Sequence, residues 1–367
     1  MQTFRCQRCG QTVFFENTQC GACGARLAFD AERLMMRAFE VTDQGPWRTL
    51  DDDRTAWRPC ANDVKHGACN WAVPADSPHA LCASCRLTAV IPPLHDGRHL
   101  QQWRALESAK RRLLYTLWSL GLPVPDRRER PTDGLVFHFK ASPPQGPAVM
   151  TGHAQGCITV NVAEADDAER EAIRTRLREP YRTLLGHLRH EVGHFYWDRI
   201  VGDQGWHDVF RLVFGDERQD YGEALKRHYE QGPPADWSQR HVSSYAASHP
   251  WEDWAETFAH YLHIVDALDT ASHWQAVMLA TPDDPSPTQG VHFAPVATRM
   301  QDFRQQLVQQ WVTLAMFLNS MGRSLGQGDL YPFVLPNAVL DKLTLVHSLV
   351  HSLVHSTMLR ARTATAA

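Results

Sequence analysis

The chain has 367 residues, 43% of them hydrophobic, with 37 Lys and Arg against 41 Asp and Glu and a net charge of −4. That composition excludes a wholly disordered or fibrous chain, and the length suggests two or three domains. There is no net basic footprint for nucleic acid, no run of 18 apolar residues to span a membrane and no apolar export segment in the opening MQTFRCQRCG, so a cytoplasmic chain is expected.

Eight of the nine cysteines fall in the first quarter of the chain. Cys6-x2-Cys9 is followed after ten residues by Cys20-x2-Cys23, the spacing of a zinc ribbon. Each tight turn supplies two thiolates, and two turns fill the four corners of a tetrahedron. Gly10, Gly21 and Gly24 are placed to free those turns, and Thr12–Phe15 reads as a strand between them. Cys60, Cys69, Cys82 and Cys85 form a looser second set, which predicts a second four-cysteine zinc site. His66 lies between Cys60 and Cys69, but four cysteines already suffice. Residues 1–90 carry ten Lys or Arg against ten Asp or Glu, so nothing there favours nucleic acid over a protein partner or a purely structural role.

Residues 99–120 repeat leucines and a tryptophan at helical spacing, with Gly121 and Pro123 as stops. Within and beyond this helix, Lys110-Arg-Arg112 and Arg127-Arg-Glu-Arg130 read as solvated charge. Leu135–Lys140 and Cys157–Val162 are strand candidates, and Cys157 reads as a small buried hydrophobe. A charged helix is expected over 164–178, then another over 180–201 with Pro180 as its first residue.

That second helix carries the chemistry. Leu185, Leu188, Val192 and Phe195 line one side, whereas His187, His190 and His194 line the other. His190-Glu191-Val192-Gly193-His194 is an HExxH motif. Its two histidines, one turn apart, can share a zinc ion, and Glu191 can take a proton from water beside it. A third ligand is needed. Trp197 and Ile200 occupy the positions where a metzincin would continue with Gly and His, which excludes that class. A helix beginning near Pro250 offers His249, Glu252, Asp253, Glu256 and His260. Glu252, Glu256 and His260 share a face, Asp253 points away, and His249 falls outside the helix. Glu252-x-x-Ala255-Glu256 resembles the ExxA[DE] pattern of gluzincins. That resemblance makes Glu252 the third ligand and Glu256 the outer acceptor for a zinc histidine. Tyr245 is the first candidate for stabilising the oxyanion, ahead of His228 and Tyr229, with a packed loop residue as the other reading.

GHAQGCITVNVAEADDAER, EPYRTLLGHLRHEVGHFYWDRIV and HPWEDWAETFAHYLHI resemble a bacterial family of zinc-binding metallopeptidases with an N-terminal zinc ribbon. The resemblance implies a zinc-dependent hydrolase using His190, Glu191, His194 and a downstream Glu, and it implies no particular substrate.

Residues 298–320 predict a further helix. The row His347, His351 and His355 reads as the polar stripe of a last helix, with a frayed tail from 360. The expected fold is mainly α (α+β). It comprises a zinc ribbon at 1–30, a second four-cysteine module at 31–97, a gluzincin-like metallopeptidase domain with a small sheet at 98–335, and a C-terminal helix and tail at 336–367. One catalytic and one or two structural zinc ions are expected, with a peptide or protein substrate. The ribbons offer a protein partner a surface, nucleic acid is not favoured, and no membrane is involved. The alternatives are a non-enzymatic zinc-ribbon binding protein and a DNA-associated protease.

Overall fold

Short strands between cysteine turns open the chain. The structure, a computed structural model, describes residues 2–41, 45–51, 55–177, 179–278, 290–296 and 299–365. Two compact units divide it, 1–177 and 178–367.

In the first unit, β1 (Phe4–Arg5) and β2 (Thr12–Val13) pair antiparallel under the first cysteine turns. β3 (Arg26–Asp30), β4 (Met35–Glu40), β5 (Trp47–Thr49) and β6 (Ala56–Pro59) follow. After the short helix α1 (Ala61–His66), β7 (Ala72–Pro74) completes a five-stranded antiparallel sheet in sequence order. Alternation buries Ala28, Phe39, Trp47, Trp57 and Ala72 on one face. Arg37 is buried in this sheet, with Asp30 at 3.1 Å and Asp51 at 3.6 Å to neutralise it.

β8 (Thr88–Val90) leads into α2 (Gly97–Ser119), which the Asp96 side chain caps by accepting the Arg98 N–H at 2.8 Å. β9 (Val136–Lys140), β10 (Gly152–Ala154) and β11 (Cys157–Asn161) then join β8 in a mixed sheet of order β10-β11-β9-β8, and α3 (Asp167–Leu177) ends the unit. The leucine stripe of α2 is buried as its spacing requires. Of the charge expected to be solvated on it, the Arg112 side chain is 43% exposed, but Lys110 and Arg111 are buried. Lys110 is fully buried, 2.8 Å from Glu107 and over the Phe137 and Phe139 rings, and Arg111 donates to the Ala68 carbonyl at 2.6 Å. Burying a cation is tolerable because each finds a carboxylate, a carbonyl or an aromatic face. Cys157 is half-buried, and its Sγ lies 3.3 Å from His138 Nδ1, so it is not the inert core thiol that its strand suggests.

The described residues of the second unit are mostly helical, with one antiparallel pair of two-residue strands. α4 (Leu184–Trp197) begins four residues after Pro180, because Thr183 Oγ1 accepts the Gly186 N–H at 3.0 Å and so sets the helix start. α5 (His207–Phe214), α6 (Tyr221–Gln231) and α7 (Pro250–His273) follow, then the paired strands β12 (Val277–Met278) and β13 (Val291–His292). α8 (Met300–Gln306), α9 (Val312–Ser324) and α10 (Asn337–Thr365) complete the unit. α10 continues through the expected tail as far as Thr365. His347 is no surface residue: it is fully buried and stacked on Phe303 at 3.9 Å. The row tilts from buried His347 through half-buried His351 to exposed His355. No helix of the described residues is long and apolar enough to cross a membrane.

α4 and α7 lie against each other at Gly193. A Cβ added there would stand 2.9 Å from Ala255 Cα and 3.0 Å from its carbonyl oxygen. Trp254 also donates its indole N–H to the Gly193 carbonyl at 2.9 Å. The missing side chain thus lets Glu252 come within reach of the histidines. Alanine is favoured over glycine within a helix by about 1 kcal/mol. Gly193→Ala should nonetheless lower stability, by about 1–3 kcal/mol, because the clash falls on backbone. Thermal unfolding with a zinc assay checks this, and wild-type values for both would contradict it.

Candidate metal centres

Among the described residues, three groups of side chains converge as metal ligands would. Cys6, Cys9, Cys20 and Cys23 form the first, Cys60, Cys69, Cys82 and Cys85 the second, and His190, His194 and Glu252 the third. Within each group the ligand atoms lie within 4.8 Å of one another.

The sulfur spacing tests the fit. In the first cluster Cys6 Sγ lies 3.7 Å from Cys23 Sγ, and Cys9 Sγ lies 3.6 Å from Cys20 Sγ. A tetrahedron with Zn–S bonds near 2.3 Å has sulfurs about 3.8 Å apart. Gly10 and Gly24 sit in the left-handed region at φ +75° and +72°, which closes each knuckle, whereas Gly21 needs no such freedom. In the second cluster Cys69 Sγ and Cys82 Sγ are 3.6 Å apart. Backbone N–H groups of Trp71, Cys82 and Cys85 donate to the Cys69, Cys60 and Cys82 sulfurs at 3.4, 3.3 and 3.5 Å. Such donors favour thiolates, the form a metal takes. The Cys23 backbone N–H leads the groups that draw Cys20 down to about 6, and hydrogen bonding to Cys69 leads those that draw Cys60 below its ordinary range, whereas burial pushes the Cys69 and Cys82 thiols well above theirs. All four sulfurs of the second cluster are buried, whereas Cys9 of the first is exposed.

The third group spans α4 and α7. His190 Nε2 lies 3.0 Å and His194 Nε2 3.5 Å from Glu252 Oε2. Glu252 is 1% exposed, yet its Oε2 accepts no well-directed hydrogen bond, while its Oε1 accepts the Tyr221 hydroxyl at 2.6 Å. One carboxylate oxygen is therefore held, and the other is presented between two imidazole nitrogens. A buried acceptor left in that position is what a cation would satisfy. His190 Nδ1 faces Glu256 Oε1 at 2.8 Å, which fixes the ring with Nε2 toward Glu252. Ser243 Oγ accepts the Ala246 N–H at 3.1 Å and donates its own proton to Glu256 Oε2 at 2.6 Å.

The electrostatics follow from this crowding. Burial works against the charge of Glu252, but His190 and His194 outweigh it and hold the carboxyl well below its usual value. Burial likewise opposes charge on His190, yet Glu252 and Glu256 win and pull it well above an ordinary imidazole. Glu256 is held at about 2 by His190 despite its burial. A proton or a metal ion can satisfy the same His190 nitrogen, so acid should compete with metal here.

Glu191 stands beside this group. His187 Nε2 lies 3.3 Å from its Oε1, while its Oε2 is buried without a hydrogen bond. Burial pushes its carboxyl up, but His187 and the two motif histidines bring it below its usual value. Its charged form is thus favoured, with one carboxylate oxygen free of hydrogen bonds.

The other candidates fall elsewhere. Asp253 is buried against Lys342 at 2.6 Å and His241 at 3.1 Å. His249 caps α7 by accepting the Trp251 N–H at 3.1 Å, and His260 pairs with the Tyr331 hydroxyl at 2.7 Å. His66 packs on Trp103 and belongs to none of the three ligand groups. The Tyr245 ring centroid is 5.9 Å from that of His190, and the His228 ring is 6.0 Å from Tyr245. Tyr229 is exposed. Burial, then the Glu252 charge, raises Tyr245, so its hydroxyl keeps its proton. Tyr221 and Ser243 were not legible as site residues. Tyr221 lies 31 residues before Glu252, in no recognisable spacing. Ser243 has only its position, two residues before Tyr245, to suggest it.

A family model described as "Putative zinc-binding metallo-peptidase" matches residues 99–349, and a zinc-ribbon domain model matches residues 3–96. The chain belongs to that metallopeptidase family. Proteins of Mycobacterium bovis and of Mycobacterium tuberculosis, each named only as uncharacterized, are 42% identical to it over 349 residues, 95% of either chain. No solved structure matches it significantly. Zinc binding, named in the family description, agrees with the two four-cysteine clusters, and residues 3–96 are a zinc-ribbon region. The two family models meet between 96 and 99, whereas the compact units part after residue 177.

Proposed function

We propose that the protein is a gluzincin-type zinc peptidase, with His190, His194 and Glu252 as the metal ligands and Glu191 as the general base. The observation that carries this reading is the convergence of both histidine Nε2 atoms on the one Glu252 oxygen that accepts no hydrogen bond, with Glu191 alongside. The HExxH spacing supports it from the sequence. When bound, zinc supplies a Lewis acid that polarises the scissile carbonyl and makes water easier to deprotonate. Glu191 takes the proton of the attacking water on Oε2 while His187 steadies Oε1, then delivers that proton to the leaving amine. Glu256 and Ser243 keep His190 oriented, and Tyr221 keeps Glu252 turned toward the histidines. The protonated Tyr245 hydroxyl is the donor for the developing oxyanion. The two four-cysteine clusters hold structural zinc, giving three ions per chain.

An unbiased peptide-library digest with zinc-loaded protein tests the reading. Cleavage should vanish on mild chelation and return with zinc. Cleavage indifferent to chelation, or none at all with the metal centre filled, would count against it.

A further inference from the structure

A cavity of about 500 Å³ is lined by His228, two ring contacts away from His190, and takes no part in the chemistry above. Ligand pockets commonly span about 300–1,000 Å³. α6, the turn at 245–247 and the start of α7 wall it. Phe214, Pro234 and Pro250 give it apolar sides, and Arg227, His228 and His241 give it polar ones. No Asp or Glu lines it.

Arg227 is the telling residue. Arg182, Arg199, Arg211, Arg218, Arg240 and Arg323 of the same unit each hold a carboxylate within 3.0 Å. Arg227 faces the cavity with no carboxylate partner among the described residues. Next to it, His228 Nδ1 is buried without a hydrogen bond. Asp253, behind His241, is already matched by Lys342. Arg227 and His228 thus line the cavity with no anionic group among the described residues to meet them.

It also lies close to the proposed chemistry. His228 leads to Tyr245 and Tyr245 to His190 in ring steps of 6.0 and 5.9 Å, a reach of about three or four extended peptide residues. We propose that this cavity is a substrate subsite for a carboxylate, with Arg227 gripping it and His228 contributing a further polar contact. A guanidinium fork matches a carboxylate in two parallel hydrogen bonds. A peptide offers that group on an acidic side chain or at its C-terminus. The inference rests on the peptidase reading.

The test uses the full-length, zinc-loaded Glu191→Gln protein, so that peptides bind without turnover. Labelled peptides carry Glu or Gln at one position, each with a free or an amidated C-terminus. Removing the decisive carboxylate should weaken binding about tenfold or more, as losing a charge-assisted pair does. Loss with Gln identifies the side chain as the source, and loss with the amide identifies the C-terminus. Arg227→Gln should bring the ratio of acidic to neutral peptides toward one, and Arg227→Glu should invert it. Arg227 is exposed, so these variants should fold, and their zinc content and thermal unfolding verify that. Equal affinity for all four peptides, or a preference that survives Arg227→Glu, would overturn the subsite. The same peptides given to the chain with Glu191 intact separate the two claims. An Arg227-dependent preference without cleavage would overturn the peptidase reading and leave a carboxylate-binding site. Cleavage without preference would do the reverse.

Discussion

Glu191→Gln should lower peptide turnover by about 10²- to 10⁴-fold, the contribution of a positioned general base. The amide keeps the size of the side chain and can still meet His187, but it cannot accept a proton at neutral pH. Glu191 is also absent from the converging ligand set, so the variant should retain its full zinc complement. Retained metal with lost turnover separates a failed base from a damaged site. Steady-state kinetics with elemental analysis of the same sample make the check. Wild-type turnover in the Gln variant would remove Glu191 from the mechanism.

Cys82→Ser should have the largest effect on folding. Cys82 is one of four buried sulfurs in the second cluster, and the serine would leave three thiols around an incomplete tetrahedron. A structural zinc contributes about 10–16 kcal/mol of binding free energy, which compares with a whole domain's stability of about 5–15 kcal/mol. Losing most of it should unfold the first unit at ordinary temperature. Cys9→Ser should be milder, because Cys9 is exposed and water can replace the lost ligand. Thermal unfolding and zinc counts on both variants test the contrast. A Cys82→Ser protein as stable as the wild type would show that the second cluster does not staple the fold.

The parts of the molecule that the sequence discloses share one property: their partners are near in the chain or follow a period. The CxxC knuckles, the HExxH pair and the leucine stripe of α2 are of this kind, and each lies where its spacing requires. Glu252 and Glu256 were legible only through their resemblance to a gluzincin pattern and their shared helix face. Contacts between distant segments were not legible. Nothing local reveals that Gly193 must admit Ala255, that Tyr221 reaches Glu252 from another helix, or that Ser243 holds Glu256. The misread residues have the same cause. Lys110 and Arg111 look like surface charge until Glu107 and the Ala68 carbonyl are found beside them, and His347 looks polar until Phe303 covers it. Thr183 displaced Pro180 as the start of α4 because one side-chain hydrogen bond fixes the first turn.

Zinc titration of Glu252→Ala beside the wild type and Glu256→Ala tests the metal centre most directly. The wild type should bind three zinc ions per chain, two of them on cysteine sulfur. Glu252→Ala should bind two, because two histidines alone do not make a closed site. Glu256→Ala should still bind the third ion, about 10- to 100-fold more weakly, as loss of a group orienting a ligand does. Three ions bound with wild-type affinity by Glu252→Ala would contradict the assignment of His190, His194 and Glu252 as one metal centre.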